Sequence, residues 1–500
     1  VLPRDEYLTT HANRWIVSFH LMGGSVYVQS LLFGVNAIFA GMLVVGYRTR
    51  LMTFLCWAFL ISLQGRMPYV LQGGDVLFRV LIFWGMFLPL GATWSVDAAA
   101  GRDLSEKPPR QLLSMATFAL MLQTFSVYWF TMALKSGDEW WVDYTAVHYA
   151  LNLDHFATWL AEWIRMYPDL MKFMTISTSW LEILMPVMAL LGGLWWPARM
   201  GAVVIMVGLH ALFGTALKIG LFPWISSASW IVLIPGGFWD ALEKRFEAPS
   251  FRARLAQLGT QIRGWVTPRP VRWRPRLAGQ VLVAGLTVFV FWWNLDTVRT
   301  PVTMTVGGTS VTMETPKMDK AWRPLAWTLR LDQKWGMFAP FPMKSDGWFM
   351  MPGVFQDGSR HDLFTEANIT FEKPAKVSSM YPGQRWRKYL MNLWQKKNKK
   401  LRSPFGKYMC RHINEGRPDG EKLETFHLIY MKEETLASGP DAPQCVTLWR
   451  HWCSKTGKTL PEQPWVTECK EINKSRQPVA GSVAVRPLSP KVARGLSALR

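Results

Sequence analysis

The 500 residues are half apolar and include 28 tryptophans, yet the mean hydropathy is only +0.07 and the formal net charge is +21. That excludes a single soluble globule and equally a chain wholly dissolved in lipid, and fits a membrane bundle joined to a basic soluble part. The five cysteines form no CxxC pair, so zinc-ribbon and thioredoxin-type chemistry are not expected, and no metal is.

Val1-Leu2-Pro3-Arg4 reads like the continuation of a longer chain, with room for one more span upstream. Val28 to Gly46 is the first long apolar run and stops at the basic Tyr47 to Arg50, a cytoplasmic signature. Leu51 to Leu63 is a short second run that Met67 to Leu71 extends, with Gln64 and Arg66 facing the bundle interior. Gly73-Gly74-Asp75 reads as a turn whose aspartate caps a helix from Val76 to Ser95 and pairs with Arg79 four residues on. Gln111 to Leu134, Met174 to Leu194, Met200 to Leu217, Leu221 to Gly237 and Gly279 to Leu295 complete eight candidate spans.

The basic connections, Tyr47 to Arg50, Arg102 to Arg110, Trp196 to Arg199 and 241 to 276, all fall on one face of that alternation. Within the last of them Phe251, Leu255, Leu258, Ile262 and Trp265 recur at helical spacing opposite Arg252, Arg254 and Arg263. This is the pattern of an amphipathic helix lying on anionic lipid. Everything after Asp296 is then delivered to the opposite side, the periplasm of a bacterial inner-membrane protein. There Cys410, Cys445, Cys453 and Cys469 are expected to form two disulfides, with three connectivities open, while Cys56 stays an apolar bystander.

The expected fold is thus an all-α polytopic helix bundle over residues 1–295, an α+β extracytoplasmic domain over 296–475 and a basic tail over 476–500. In the second domain Trp348 to Phe355 and His361 to Phe364 read as a hairpin around Gln356-Asp357-Gly358. Gln384 to Trp394 reads as a helix, and Leu423 to Met431 and Cys445 to Trp452 as strands. From residue 296 onward 33 Lys/Arg stand against 19 Asp/Glu, a surplus of 14. Anionic headgroups or an acidic periplasmic polypeptide are the expected partners, in an oligomer or complex, and nucleic acid is not.

Lys135 ends the apolar run from Gln111 and precedes Ser136-Gly137-Asp138-Glu139-Trp140-Trp141. A lysine there either snorkels to the membrane boundary as an anchor or is buried and serves as a base. Two further ionisable groups fall within apolar runs: His210, for which a structural hydrogen bond is the plainer reading, and Glu182. Glu182 is expected to pair with Lys135 or His210, which would argue against a free amine.

Tyr128-Trp129-Phe130 to Lys135, Trp141, His148-Tyr149-Ala150-Leu151, Leu71-Gln72-Gly73-Gly74-Asp75, His210 and Leu221-Phe222-Pro223-Trp224 together resemble the HTTM (horizontally transferred transmembrane) family. That family is related to the vitamin K-dependent gamma-carboxylases. Asp332 to Pro340 also resembles the start of its exported domain, so the resemblance runs from residue 1 to about 470. It implies that Lys135, at the position of the family's base lysine, deprotonates a reduced vitamin K-type quinone, with His210, which matches a histidine of the family, also catalytic; Glu182 is counted with them on its place in an apolar run alone. It implies that Tyr128, Trp129, Trp141 and His148 bind the quinone, and that glutamate in a periplasmic polypeptide is carboxylated. The animal enzymes use a histidine before the helix that starts here at Val76, whereas Gln64-Gly65-Arg66-Met67 has none. Quinone binding and oxidation are therefore expected more firmly than carboxylation. The alternative function is a non-enzymatic membrane subunit or scaffold whose basic periplasmic domain docks a partner.

Overall fold

The computed structural model describes residues 2–10, 13–93, 95–101, 112–193, 195–245, 257, 261, 276–298, 302–306, 309–313, 317–437, 439–454 and 462–475. The amphipathic segment expected around 251–265 and the tail 476–500 lie outside the described residues, apart from Gln257 and Gln261. Helices of ten or more residues are α1 Val26–Val44, α2 Thr49–Arg66, α3 Gly73–Gly85, α4 Met115–Leu134, α5 Pro168–Leu191, α6 Trp196–Ala216, α7 Phe222–Ile231, α8 Gly236–Arg245, α9 Leu277–Thr297, α10 Gln384–Trp394, α11 Arg402–Asn414 and α12 Pro464–Ser475. Five of these, α1, α4, α5, α6 and α9, are long and apolar enough to cross a membrane. The pair α7 and α8, bent by 89°, makes a sixth if counted as one span.

Eight spans were expected, and the shortfall lies at α2 and α3. Helix α2 carries buried Gln64 and the basic Arg66 at its end. Helix α3 has 13 residues and stops at Gly85 instead of reaching Ser95; Pro89 disfavours helix at the residue before it, and the chain turns there.

Two compact units share the chain. Among the described residues the first comprises those within 1–346 and 374–412, and the second those within 347–373 and from 413 onward. In the first unit α4 and α9 run parallel: the Met115 amide donates to Gln280 Oε1 at 2.7 Å near their starts, and Phe130 packs on Phe291 at 5.5 Å toward their ends. A Cβ on Gly74 would lie 2.9 Å from the Phe222 Cα, so the starts of α3 and α7 approach as closely as they do because that residue is glycine.

Asp75 is not the N-cap of α3 but its third residue, closing a capping box with Gln72. Nor does it pair with Arg79. Its carboxylate receives both Arg385 Nη atoms, at 3.0 and 2.6 Å, while Arg79 turns to residues 330–332. The Asp332 to Pro340 segment is accordingly part of the bundle's unit. Trp335 is fully buried. Gln333 Oε1 accepts from Gln123 Nε2 at 2.8 Å and Trp335 Nε1 at 3.0 Å, and its carbonyl accepts from Trp293 Nε1 at 2.9 Å.

The first unit also holds an antiparallel ribbon, β1 Val302–Val306 with β2 Thr309–Met313. The second unit is built on an antiparallel sheet. Its strands are β3 Ser345–Met350, which begins two residues before the unit's boundary, β4 Pro352–Phe355, β5 Arg360–Asp362, β6 Leu423–Leu436, β7 Gly439–Pro440 and β8 Gln444–Trp452. The order is β3-β6-β4-β5, with β7 and β8 also paired to β6. The expected single strand from Trp348 is broken at Met351, ahead of Pro352, which cannot donate to a ladder. Only its second half forms the hairpin with β5. The expected helix Gln384 to Trp394 is α10, and the two later strands are β6 and β8.

All four late cysteines are disulfide-bonded; one bond, Cys445–Cys469, ties β8 to α12. Cys56 is free and buried. In the same unit Trp465 Nε1 donates to His427 Nδ1 at 3.1 Å, which requires that nitrogen unprotonated. Burial, with Arg450 adding to it, pulls the His427 pKa down to about 4. The unfolded chain therefore takes up the proton first as pH falls below about 6.5, and stability drops from there toward pH 4. Thermal melts of the full chain should lose midpoint between pH 7 and 5, and the loss should shrink in His427→Gln. An identical pH slope in the variant would refute this.

Candidate functional site

Tyr128 and Lys135 lie seven residues apart on α4 and its C-cap, hence on one face, about 10 Å apart along the axis. Lys135 does not point outward. It is 4% exposed, its Nζ lies 2.8 Å from Glu182 Oε2 and 3.9 Å over the ring of Trp140. Glu182 sits mid-way along α5, so the amine is drawn into the bundle rather than to its rim. The snorkelling anchor is thus not the geometry adopted.

The sequence after Lys135 builds a roof over this pair. Trp141 Nε1 donates to the Lys135 carbonyl at 2.6 Å. Trp140 Nε1 donates to the Phe338 carbonyl at 3.0 Å, and the Gly137 amide to the Pro340 carbonyl at 3.0 Å. Glu139 holds Lys344 at 2.5 Å; burial acts to raise the Glu139 pKa, but the Lys344 bond outweighs it and leaves it lowered.

Two turns deeper, Tyr128 Oη accepts from Trp230 Nε1 at 2.6 Å and lies 2.7 Å from His210 Nε2. A phenol has one proton, and with Trp230 already donating, that proton goes to His210 Nε2. His210 is then the tautomer with Nδ1–H, and Nδ1, fully buried, has no partner. That nitrogen belongs to a residue lining a cavity of about 720 Å³, a volume that suits a small organic ligand. Its walls come from α6 and α7, the Leu217–Gly220 turn, His155 and residues 378–387.

Of the seven residues singled out by sequence, the structure joins Lys135 to Glu182, Tyr128 to His210 and Trp141 to the Lys135 carbonyl. Trp129 Nε1 reaches the Ile183 carbonyl at 3.3 Å, and His148 sits beside Asn152; neither lines the cavity, and of the seven only His210 does. No family model matches this chain, and no curated protein or solved structure does.

Sequence reasoning missed His155, Tyr381 and Arg387. His155 is 1% exposed, with Nδ1 3.4 Å from Asp346 Oδ2, a contact without hydrogen-bonding geometry. Burial lowers its pKa against the opposing pull of Asp346, which favours the neutral ring. The available signal was a histidine closing the polar-aromatic run that follows Lys135; its partner 191 positions later left none.

Proposed function

We propose that this chain is a multi-pass protein of a bacterial inner membrane that binds a reduced vitamin K-type lipid quinone and oxidises it, with its C-terminal part in the periplasm. The observation that carries the reading is the Lys135–Glu182 pair, an amine and a carboxylate 2.8 Å apart under an aromatic roof. As a closed ion pair it is not the free amine that the family resemblance implies. Within it one proton is shared between amine and carboxylate, so that with Glu182 holding it Lys135 is left as the base; neither residue lines the cavity beside His210, so a proton from a ligand there would reach the pair by way of Tyr128.

A quinone fits the residues at hand. The His210 Nδ1–H lacks an acceptor, which a ring oxygen supplies, while Val207, Ala211, Pro223 and Ile231 offer apolar walls to an isoprenoid chain. When bound, the reduced quinone supplies the oxidisable ring. This chain's residues would orient it, exclude water and manage the proton. Carboxylation of glutamate in a periplasmic polypeptide is the finer step of the same reading, supported by the positive charge that would draw an acidic segment.

The second reading, a non-enzymatic subunit or scaffold docking a partner, is favoured by the same ion pair, because a closed salt bridge suffices to fasten a bundle. Solvent extraction of the purified protein, followed by an assay of quinone epoxide formed from reduced quinone and oxygen, separates the two. The proposed function predicts co-purified quinone, turnover, and a Lys135→Arg variant as inactive as Lys135→Ala, since guanidinium keeps charge without exchanging a proton. Near-wild-type turnover in Lys135→Arg would remove Lys135 from proton transfer. Neither quinone nor epoxide from the wild type would leave the subunit reading.

A further inference from the structure

The cavity lining includes a buried arginine. Arg387, in the first turn of α10, is 6% exposed, and its guanidinium lies 4.0 Å over the ring of Phe156. Its Nε has no hydrogen-bond partner, and among the described residues no carboxylate pairs with it. Burial brings its pKa down to about 10, so it remains cationic at neutral pH, and a buried cation without a counter-ion is costly.

The surrounding groups share its preference. The Tyr381 hydroxyl is buried without a partner, as are both ring nitrogens of His155. Gly383 and Gln384 bring the start of α10 into the lining, and the leading amides of a helix lack intrahelical acceptors and favour anions. The carboxylate near His155, Asp346, accepts the Asp154 amide and does not line the cavity. A neutral quinone would leave the Arg387 charge without a counter-ion.

The α6 and α7 walls are largely apolar and include residues at the surface, Trp224 at 76% and Ile231 at 43% exposed. In a membrane that outer surface meets lipid, so a chain can enter between α6 and α7 without crossing water. We propose that the cavity binds the anionic head, carboxylate or phosphate, of a membrane amphiphile against Arg387, Tyr381 and His155, with its acyl chain between α6 and α7. This inference uses the membrane location but not the quinone chemistry; the acyl chain would take the α6 and α7 walls given above to an isoprenoid chain, so the two ligands compete for one cavity, and the inference stands if Lys135 proves purely structural.

Native mass spectrometry of the detergent-purified full chain, titrated with oleate, dioleoyl phosphatidic acid, dioleoyl phosphatidylcholine or inorganic phosphate, tests it. We expect one tightly held oleate or phosphatidic acid, bound at least about tenfold more weakly by Arg387→Gln, the direction expected when a buried charge loses its partner. The exposed control Lys396→Gln should bind like wild type. Should Arg387→Gln fail to fold, Ala211→Trp, which fills the apolar wall and keeps the guanidinium, should show the same loss. Undiminished binding in both variants, equal retention of phosphatidylcholine, or saturation by inorganic phosphate alone would overturn the proposal, the last by making the ligand a free anion.

Discussion

Glu182→Leu is expected to destabilise the bundle by about 3–5 kcal/mol, the cost of leaving a buried partner charge uncompensated. The cause is the position of Lys135, 4% exposed with its Nζ committed to Glu182 and to the face of Trp140. Without the carboxylate the ammonium must either shed its proton or pull out from under Trp140 and Trp141, and both routes undo the roof. Lys135→Met should cost a similar amount for the mirrored reason. The double variant Lys135→Met/Glu182→Leu removes both charges and fills the space with apolar atoms, so it should recover most of the lost stability, as buried pairs replaced by hydrophobic groups commonly do. Thermal unfolding of the three variants in one detergent measures this. If the single variants melt with the wild type, the pair is not a buried one in solution.

The double variant also separates stability from function. A pair that only fastens the bundle predicts a double variant that is folded and indistinguishable from wild type in any assay. A pair that handles a proton predicts one that is folded, still retains quinone and forms no epoxide. Recovery of turnover in the double variant would be incompatible with the proposed function.

What could be read from the sequence was whatever depends on short range. The apolar run to Leu134 and the helix at Gln384 to Trp394 are local patterns, and each became a helix as expected. Glu182 was legible because a carboxylate in an apolar run needs a partner, though whether Lys135 or His210 would take it was open. Partner choice was otherwise lost wherever it spans the chain. The i,i+4 spacing of Asp75 and Arg79 invited a local pair, yet Arg385, 310 positions away, holds the aspartate. His155 and Arg387 converge on one cavity only because residues 374–412 fold back into the first unit, and no periodicity announces that return. The packing of Asp332 to Pro340 within the first unit was hidden for a related reason. Its tryptophan and glutamine look like surface residues of a soluble domain until Gln123 and Trp293 are seen to donate to Gln333, with the buried Trp335 donating to it as well.

That same segment sets the last expectation: Arg79→Lys should be nearly as harmful as Arg79→Met, with a loss of about 3 kcal/mol or more. Arg79 is 1% exposed and uses all three guanidinium nitrogens. Nε donates to the Arg330 carbonyl at 2.8 Å, Nη1 to Gln64 Oε1 at 3.1 Å and Nη2 to the Asp332 carbonyl, while the Asp332 carboxylate lies 3.1 Å away. A lysine keeps the charge but is a point donor on a flexible stem, and cannot span three acceptors fixed in a plane by α2 and the 330–332 turn. The unmet groups would be the Gln64 amide and at least one backbone carbonyl, all inside the bundle. Loosening should therefore appear first where the turn is attached: hydrogen exchange at Leu331 to Trp335 should quicken in Arg79→Lys more than exchange at Phe125 to Tyr128. Uniform acceleration along α4 and the turn would mean that Arg79 holds the bundle as a whole, and unchanged exchange that lysine replaces it.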